Sequence, residues 1–324
     1  MAATETTGVL ERTLLIGDGW RAAASGATLD VVNPATEEVA ARVASAGPDD
    51  VDAAVRAAQA ALDGPWARLS ARERGRLLWR IGERLMERAD EVARLETLHN
   101  GKPIFESRQI DIPSAAECFQ YYAGWADKVH GDTIPVKGNY LTYTLREPVG
   151  VVAAIVPWNF PLLLAAWKIA PALACGNTVV LKPASQTPLT ALALGEIAIG
   201  VGVPPGVLNV ITGLGSSVGR AIIAHPGVAK VAFTGDTSTG REIMRSSADT
   251  LSGLAAAVWT RDIKKAHHVA RRLQAGTVWV NAYNVYDAAA PFGGYKDSGF
   301  GRELGEAALE HSTQVKTVWV DLNR

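Results

Sequence analysis

Four short apolar runs that alternate with helix-compatible stretches constrain the fold of this chain more than any other feature. The runs lie between residues 150 and 235 and are GVVAAIVP, NTVVLKP, GVLNVITG and AKVAFTG. Continuous apolar runs of this length are typical of strands buried on both faces, and helical connections make neighbouring strands parallel. The sequence therefore predicts an α/β fold built on a doubly wound parallel sheet.

The segments before this region indicate strands followed by helices. Turn residues between β-branched runs predict a pair of strands within residues 20–43. Apolar residues at spacings of three and four predict helices over 48–63 and 71–103, the second ended by glycine and proline. A third helix is predicted over 112–131, starting at a proline and stopping at a glycine. Period-two alternation in residues 139–150 predicts an extended, half-exposed segment.

The C-terminal part has a different character. The sequence predicts a helix over 261–276, a buried strand over 277–281, a glycine-rich loop over 291–303 and a last strand over 313–322. His267 and His268 are adjacent on the helix and point to different faces, so we expect them on a solvated surface and not at a metal site.

Composition and charge argue against several classes of partner. The 324 residues are 48% hydrophobic and 20% charged, with a formal net charge of -1, so charge gives no reason to expect nucleic acid or an anionic membrane as a partner. The richest apolar run is interrupted by Pro157 and Pro161, and the N-terminus lacks a leader-like pattern, so we expect a cytoplasmic protein. The two cysteines, Cys118 and Cys175, have neither disulfide-framework nor metal-ligand spacing.

The turn PWNFP at the end of the first run is the first candidate site. Parallel sheets bind ligands at the carboxyl edge of their strands, where this irregular turn lies. The side chain of Asn159 can donate an N–H to a developing oxyanion. Asparagine is also a good cap for a following helix, so spacing alone leaves both roles open.

A lysine and two glycine clusters follow the other runs at the same edge. Lys182 comes just past a strand, where its ammonium could bond to ribose hydroxyls; a surface lysine is the alternative. TGLGSSVG and FTGDTSTG each place glycines and small hydroxyl residues at a helix start, which lets backbone N–H groups approach a phosphate. Together with Asn159, these features predict a small-molecule nucleotide site on a Rossmann-like sheet.

Five motifs, taken in order, resemble the aldehyde dehydrogenase superfamily over nearly the whole chain. They are PWNFP, LKPASQTPLTAL, GVLNVITG, VAFTGDTSTGR and PFGGYKDSGFGRE. The resemblance implies oxidation of an aldehyde to a carboxylic acid with NAD or NADP as cofactor. In the family a cysteine thiolate attacks the carbonyl, hydride passes to the nicotinamide, and a glutamate activates the water that releases the acid.

The resemblance also implies roles for individual residues. Asn159 matches the oxyanion-hole amide, Lys182 matches the lysine on the adenosine ribose, and residues 235–240 match the turn over the pyrophosphate. Other matched positions lie in the cofactor pocket and near the adenine. The implied cofactor-binding residues are Ile155, Trp158, Lys182, Ser185, Gly215, Gly219, Gly235, Asp236, Thr237 and Gly240.

Two departures from the family pattern bear on the cofactor. Ser185 stands where the family often has a glutamate that selects NAD, and losing that carboxylate reduces repulsion of a 2′-phosphate, so NADP is admitted beside NAD. Asp236 stands where the family usually has a serine touching phosphate. Aspartate caps helices well but would repel a pyrophosphate, which lowers the expected affinity for the cofactor.

The join at residues 250–253 is the largest departure. The ELGG glutamate motif, the GQxC cysteine motif and the ExFGP glutamate motif of the family are absent from the sequence. We therefore expect an internal deletion between about Leu251 and Gly253, about the size of a small domain. Cys118 and Cys175 are better explained as small core residues than as substitute nucleophiles.

Three hypotheses follow from these observations. The chain is an aldehyde dehydrogenase family protein that is inactive alone, or a non-catalytic nucleotide-binding or assembly subunit, or an internally deleted chain with no function of its own. The deletion would leave an exposed sheet edge and uncovered apolar faces. Because the family commonly forms oligomers, we expect a homo-oligomer or association with an intact relative.

The resemblance divides the chain into five parts. They are the N-terminal part of the nucleotide-binding domain (1–131), a bridging or oligomerisation segment (132–148), the Rossmann-like NAD(P)-binding core (149–251), the remnant of a catalytic α/β domain (252–310) and a C-terminal oligomerisation strand (311–324).

Overall fold

A computed structural model shows how these segments fold. It describes residues 9–131, 133–135, 142–235, 239, 255–273, 275–283, 285 and 290–291. The predictions for Asp236, Thr237 and Gly240, for the join at 251–253 and for the last strand lie outside the described residues, as does nearly all of the predicted loop over 291–303.

The described strands carry labels in chain order. They are β1 (Leu10–Arg12), β2 (Leu14–Ile16), β3 (Gly19–Arg21), β4 (Thr28–Val32), β5 (Val39–Ala44), β6 (Thr133–Ile134), β7 (Thr142–Tyr143), β8 (Val151–Ile155), β9 (Thr178–Lys182), β10 (Leu208–Val210), β11 (Lys230–Phe233), β12 (Ala255–Val258) and β13 (Thr277–Val280).

The described helices are labelled in the same way. They are α1 (Pro48–Asp63), α2 (Pro65–Arg68), α3 (Ala71–Glu87), α4 (Ala89–Asn100), α5 (Ile104–Glu106), α6 (Ile112–Ala123), α7 (Pro161–Ala174), α8 (Leu189–Gly200), α9 (Arg220–Ile223) and α10 (Ile263–Arg272), with π-helical turns at Ser107–Asp111 and Gly215–Gly219.

The four apolar runs form parallel strands, as predicted. Their order in the sheet is β11-β8-β9-β10, and the antiparallel strands β2 and β3 extend the sheet beyond β10. The order therefore reverses between β8 and β11. A reversal of this kind opens a crevice at the carboxyl edge, where Ile155 is in register with both Lys182 and Phe233.

Two hydrophobic cores cover the two faces of this sheet. Val179 and Leu181 of β9 belong to the core that includes α3, α4, α6, α7 and α8, whereas Val180 belongs to the core that includes α1 and α9. Successive residues of a strand point to opposite faces of the sheet. When both faces are buried, apolar residues lie on both sides of the strand and no alternation of polar and apolar residues remains. The doubly wound fold explains why the four runs are continuously apolar.

The helix over 48–63 has the predicted bounds, but the single helix over 71–103 is wrong. The chain leaves helical geometry at Arg88, with φ -99° and ψ 16°, and α3 and α4 are separate helices. Buried positions continue at spacings of three and four across the break, for example at Leu85, Ala89 and Val92. Hydrophobic periodicity therefore gave no signal of it.

The third predicted helix has the predicted start but not the predicted end. α6 begins at Ile112, with Pro113 in its first turn, and stops at Ala123, well before Gly131. It continues directly from α5 and the π-helical turn, which the sequence did not predict. A π-helical turn inserted in a helix is one way to accommodate a proline that lacks an N–H.

The described residues fall into two compact units. The first draws on residues 1–130 and 147–247, and the second on 131–146 and 248–324. The five-part division made from the sequence stays a prediction.

In the second unit, β12 and β13 form a two-stranded parallel sheet connected by α10, and β6 pairs with β7. The strand predicted as buried over 277–281 is only partly so, because Trp279 is buried while Val280 is exposed. Among the described residues this sheet has two strands, so few described neighbours cover it. His267 and His268 are exposed, as predicted, and the hydroxyl of Tyr143 lies 2.8 Å from Nδ1 of His267.

Among the helices that the structure describes, none combines the length and the hydropathy that a membrane span requires.

Two glycines test the packing of α1 against the sheet. Gly202 and Gly206 both have positive φ, +91° and +78°, but a Cβ at Gly206 would lie 2.5 Å from the carbonyl oxygen of Ala57, whereas a Cβ at Gly202 would meet nothing within 4 Å. Gly202→Ala should cost about 1 kcal/mol from backbone strain alone. Gly206→Ala should cost about 2 kcal/mol more, because α1 and the turn before β10 must move apart. Urea unfolding of both variants measures the difference, and equal destabilisation would contradict this packing.

Candidate crevice at the carboxyl edge of the sheet

Two loops leave the carboxyl ends of the central strands. The first, residues 156–160, connects β8 to α7, and the second, residues 183–188, connects β9 to α8. Ile155 is half-buried at the root of the first loop, whereas Trp158 is 59% exposed. An exposed indole beside a strand end offers an apolar surface that a flat ligand can cover.

Asn159 lies in the first loop and does not cap the helix that follows. The N-cap of α7 is Phe160, and it makes no side-chain capping bond. The capping alternative is therefore wrong. Asn159 is exposed, which leaves its amide accessible at the crevice. Its role as an oxyanion donor stays a prediction.

Lys182 is buried, so the alternative of a surface lysine is wrong. It is 3% exposed, and its Nζ donates to the carbonyl oxygen of Pro183 at 2.9 Å. Burial removes water from the ammonium and lowers the pKa of Lys182 to about 8. A lysine in this state gains from any ligand oxygen that replaces the lost water.

The first glycine cluster lies beside this lysine. A Cβ at Gly219 would approach Cδ and Cε of Lys182 to 4.0 Å, so the π-helical turn Gly215–Gly219 packs next to the lysine stem. Gly215 is exposed, and a Cβ there would meet nothing within 4 Å. The structure therefore brings Lys182 and this turn together, with open space at the turn's outer end.

Two further predicted cofactor-binding residues, Ser185 and Gly235, lie in segments that follow strands of the sheet. Ser185, in the second loop, is half-buried, and its hydroxyl donates to Oε1 of Gln186 at 3.2 Å. Gly235 is exposed just after β11. The loop after β9 thus carries the hydroxyl of Ser185 and no carboxylate at that position.

The sequence analysis missed Lys168. Its Nζ donates to Oγ1 of Thr234 at 2.6 Å, which ties α7 to the end of β11 across the reversal of strand order. Burial lowers the pKa of Lys168. A signal was available, because Lys168 is the only charged residue in the otherwise apolar α7.

Both cysteines lie outside this crevice. Cys175 follows the last residue of α7, a helix of 14 residues that begins just after Asn159. Such a helix is about 20 Å long, so Cys175 lies near the opposite end of the sheet. Cys118 lies on α6, and burial raises the pKa of its thiol to about 11. A thiol of that pKa forms little thiolate near neutral pH.

A parallel sheet whose strand order reverses beside a buried lysine and a glycine turn is an architecture that binds nucleotides in many α/β proteins. The model of the aldehyde dehydrogenase family matches residues 20–252 and 248–318. The chain therefore belongs to the aldehyde dehydrogenase family, whose members use NAD or NADP and act on aldehydes.

Curated relatives and solved structures agree with this assignment. The human mitochondrial aldehyde dehydrogenase is 34% identical, with 95% of this chain and 91% of the relative covered. Member B4 of aldehyde dehydrogenase family 2 from Arabidopsis thaliana, also mitochondrial, is 34% identical, with 96% and 88% covered. The structure of an aldehyde dehydrogenase from Bacillus cereus in complex with NAD+ is 33% identical, covers 97% of each chain and has a TM-score of 0.73.

The lengths of these alignments differ from the length of the chain. The alignment with the human enzyme runs over 472 positions, 148 more than the 324 residues of this chain. The two segments matched by the family model overlap at residues 248–252.

The depressed pKa of Lys182 predicts a pH dependence of stability. The folded-state pKa, about 8, lies below the usual value of 10.5. The charged form is thus disfavoured in the folded state, and the penalty is full below pH 8 and fades as pH rises toward 10.5. Lys182→Met should therefore be more stable than the parent at pH 7, by about 3 kcal/mol at most, with a smaller difference at pH 10.

Urea unfolding of the parent and of Lys182→Met at both pH values measures this change. If the free energies of unfolding of the two proteins differ by the same amount at both pH values, Lys182 is not desolvated.

Proposed function

We propose that this chain binds NAD(P) in the crevice at the carboxyl edge of its sheet and does not itself oxidise aldehydes. Lys182 would hold the adenosine ribose, and the turn at Gly215 and Gly219 would lie near the adenine. Ile155 and Trp158 would line the rest of the pocket. The buried ammonium carries this proposal: among the described residues it makes one hydrogen bond, to the carbonyl of Pro183, so it can still donate to ribose hydroxyls.

Gly235, Asp236, Thr237 and Gly240 complete the proposed site as the turn over the pyrophosphate. The exposed position of Gly235 at the end of β11 supports this placement. The carboxylate of Asp236 would weaken phosphate binding there.

We further propose that NADP is accepted at least as well as NAD. Ser185 offers a half-buried hydroxyl in the loop that follows Lys182, and no carboxylate of its own opposes a 2′-phosphate. A 2′-phosphate near a buried ammonium would also keep that ammonium protonated, because an opposite charge raises the pKa of a lysine.

The lack of turnover follows from the missing thiol. When bound in this family, the dinucleotide supplies the acceptor for hydride. Asn159 could polarise an aldehyde carbonyl at the crevice, but a nucleophile must then attack it. The position of Cys175 at the far end of α7 and the raised pKa of Cys118 support the proposal that neither thiol takes this role.

The proposed internal deletion accounts for the missing groups. It is supported by the overlap of the two family segments at 248–252 and by the 148 positions that the human alignment has beyond this chain. The absent ELGG and GQxC motifs would fall in that block. A cytoplasmic location and association with a further copy or an intact relative stay predictions.

Absorbance at 340 nm tests the lack of turnover. Purified chain incubated with NAD or NADP and either propanal or benzaldehyde should produce no reduced cofactor, because no thiolate reaches the carbonyl. The double variant Cys118→Ser, Cys175→Ser should behave identically. Steady turnover by the parent that disappears in the double variant would contradict the proposal.

Titration calorimetry with NADPH tests binding. Lys182→Ala should weaken binding by about tenfold or more, since a hydrogen bond to a charged group contributes about 1.5–3 kcal/mol. Lys230→Ala is the matched control, because Lys230 is exposed at the start of β11, away from the carboxyl edge, and should bind as the parent does. No binding by the parent, or equal losses in both variants, would refute this site.

A further inference from the structure

The C-terminal end of α4 carries polar side chains inside the core, next to both crevice loops. Glu96 is 0% exposed and His99 is 3% exposed, although both lie on a helix that packs among apolar neighbours. Asn100, the last residue of α4, is half-buried. Ionisable side chains are almost never fully buried unless other groups of the protein satisfy their hydrogen bonds.

Glu96 holds the first turns of two helices. Its carboxylate accepts a hydrogen bond from Oγ1 of Thr190 at 2.6 Å and from the backbone N–H of Leu162 at 3.4 Å. Leu162 lies in the first turn of α7 and Thr190 in the first turn of α8. A carboxylate is favoured there by the positive ends of both helices. Each of these helices begins where one of the crevice loops ends.

His99 and Asn100 extend the same contacts. Nδ1 of His99 accepts from the N–H of Leu189, the first residue of α8, at 3.1 Å, so the neutral ring carries its hydrogen on Nε2. That nitrogen lies 3.5 Å from Oε2 of Glu96. Nδ2 of Asn100 donates to the carbonyl oxygen of Trp158 at 2.6 Å, within the first loop itself.

We propose that Glu96, His99 and Asn100, named here the α4 clamp, are positioning residues for the crevice. They fix loops 156–160 and 183–188 relative to each other, and so hold Asn159 and Ser185 in place for a bound dinucleotide. The inference rests on the proposed function. Surface loops are mobile unless they are held, and a loop that is ordered before binding lowers the entropy lost when ligand binds.

A purely structural role explains this arrangement less well. Packing α4 against α7 and α8 needs only apolar side chains, and replacing buried ionic groups by such residues is often neutral or stabilising. Here the three polar groups all lie in the last two turns of α4. Their partners are the first turns after the two loops and one loop carbonyl.

Asn177 supplies a matched control at the other end of the sheet. Its Oδ1 accepts from the N–H of Gly150 and its Nδ2 donates to the carbonyl of Ala172, at 3.0 and 3.1 Å. Gly150 precedes β8, and Asn177 itself precedes β9. The same amide chemistry thus fixes loops at the amino edge, where no ligand is proposed.

Amide hydrogen exchange and NADPH affinity, measured on Asn100→Ala, Thr190→Val and Asn177→Ala, test the α4 clamp. In the ligand-free chain, Asn100→Ala should raise exchange about fivefold at Trp158, Asn159 and Phe160, as expected for one lost hydrogen bond. Thr190→Val should do the same within 183–190. Both variants should bind NADPH about fivefold more weakly. Thr190→Val should also lower the melting temperature, because it takes a hydrogen bond from the buried carboxylate of Glu96, whereas Asn100→Ala should change it little.

Asn177→Ala should lower the melting temperature and leave both the exchange at 158–160 and the NADPH affinity as in the parent. Binding by Asn100→Ala and Thr190→Val that equals the parent's would overturn the inference while leaving the proposed function intact. If the parent binds no NADPH, the proposed function fails. Amide exchange in the ligand-free variants still tests whether the α4 clamp holds the two loops. An increase confined to the loops supports the α4 clamp, and unchanged exchange in the loops overturns it.

Discussion

Parallel pairing of β8 with both β9 and β11 is the constraint on which the rest of the first unit depends. Because Ile155 is in register with Lys182 on one side and with Phe233 on the other, three strand ends and their loops meet at one edge. The strand order reverses at β8, which opens a gap at this edge. The proposed function places the dinucleotide in that gap, among residues 155–235.

The parallel core could be predicted because strands buried on both faces leave a distinctive sequence. Four continuous apolar runs, each bounded by glycine or proline, fix the strands, and Lys182 and Asn159 follow directly from their ends. The antiparallel strands β2 and β3 escaped notice, since three-residue strands are too short to show a period. The break at Arg88 could not be predicted either, because buried residues continue at helical spacing on both sides of it.

Other features of the site needed the fold itself. Whether Asn159 caps a helix depends on where α7 begins, and the choice of Phe160 as N-cap decides it. Lys168 could have been found as a lone charge in an apolar helix. Glu96 and His99 could not, because their partners are about 65 to 95 residues away in the chain and are main-chain groups or a hydroxyl that carry no motif. Sequence periodicity places these two on the buried face but cannot say what they contact.

The proposed function separates the crevice from the reaction of the family. Under that proposal, binding depends on the strand ends, the buried ammonium of Lys182 and two loops contacted by α4, all within the described residues of the first unit. Oxidation of an aldehyde needs in addition a thiolate within reach of the carbonyl, and the two available thiols lie at the far end of α7 and within α6. Under the proposal, the geometry of a ligand site persists in a chain that lacks the groups for the family's chemistry.

A crystal structure of the chain grown with NADP+ would test this account most directly. The account predicts density for the dinucleotide at the carboxyl edge of the sheet, with a ribose hydroxyl within hydrogen-bond distance of Nζ of Lys182. A dinucleotide bound elsewhere, or an empty crevice at saturating NADP+, would contradict it.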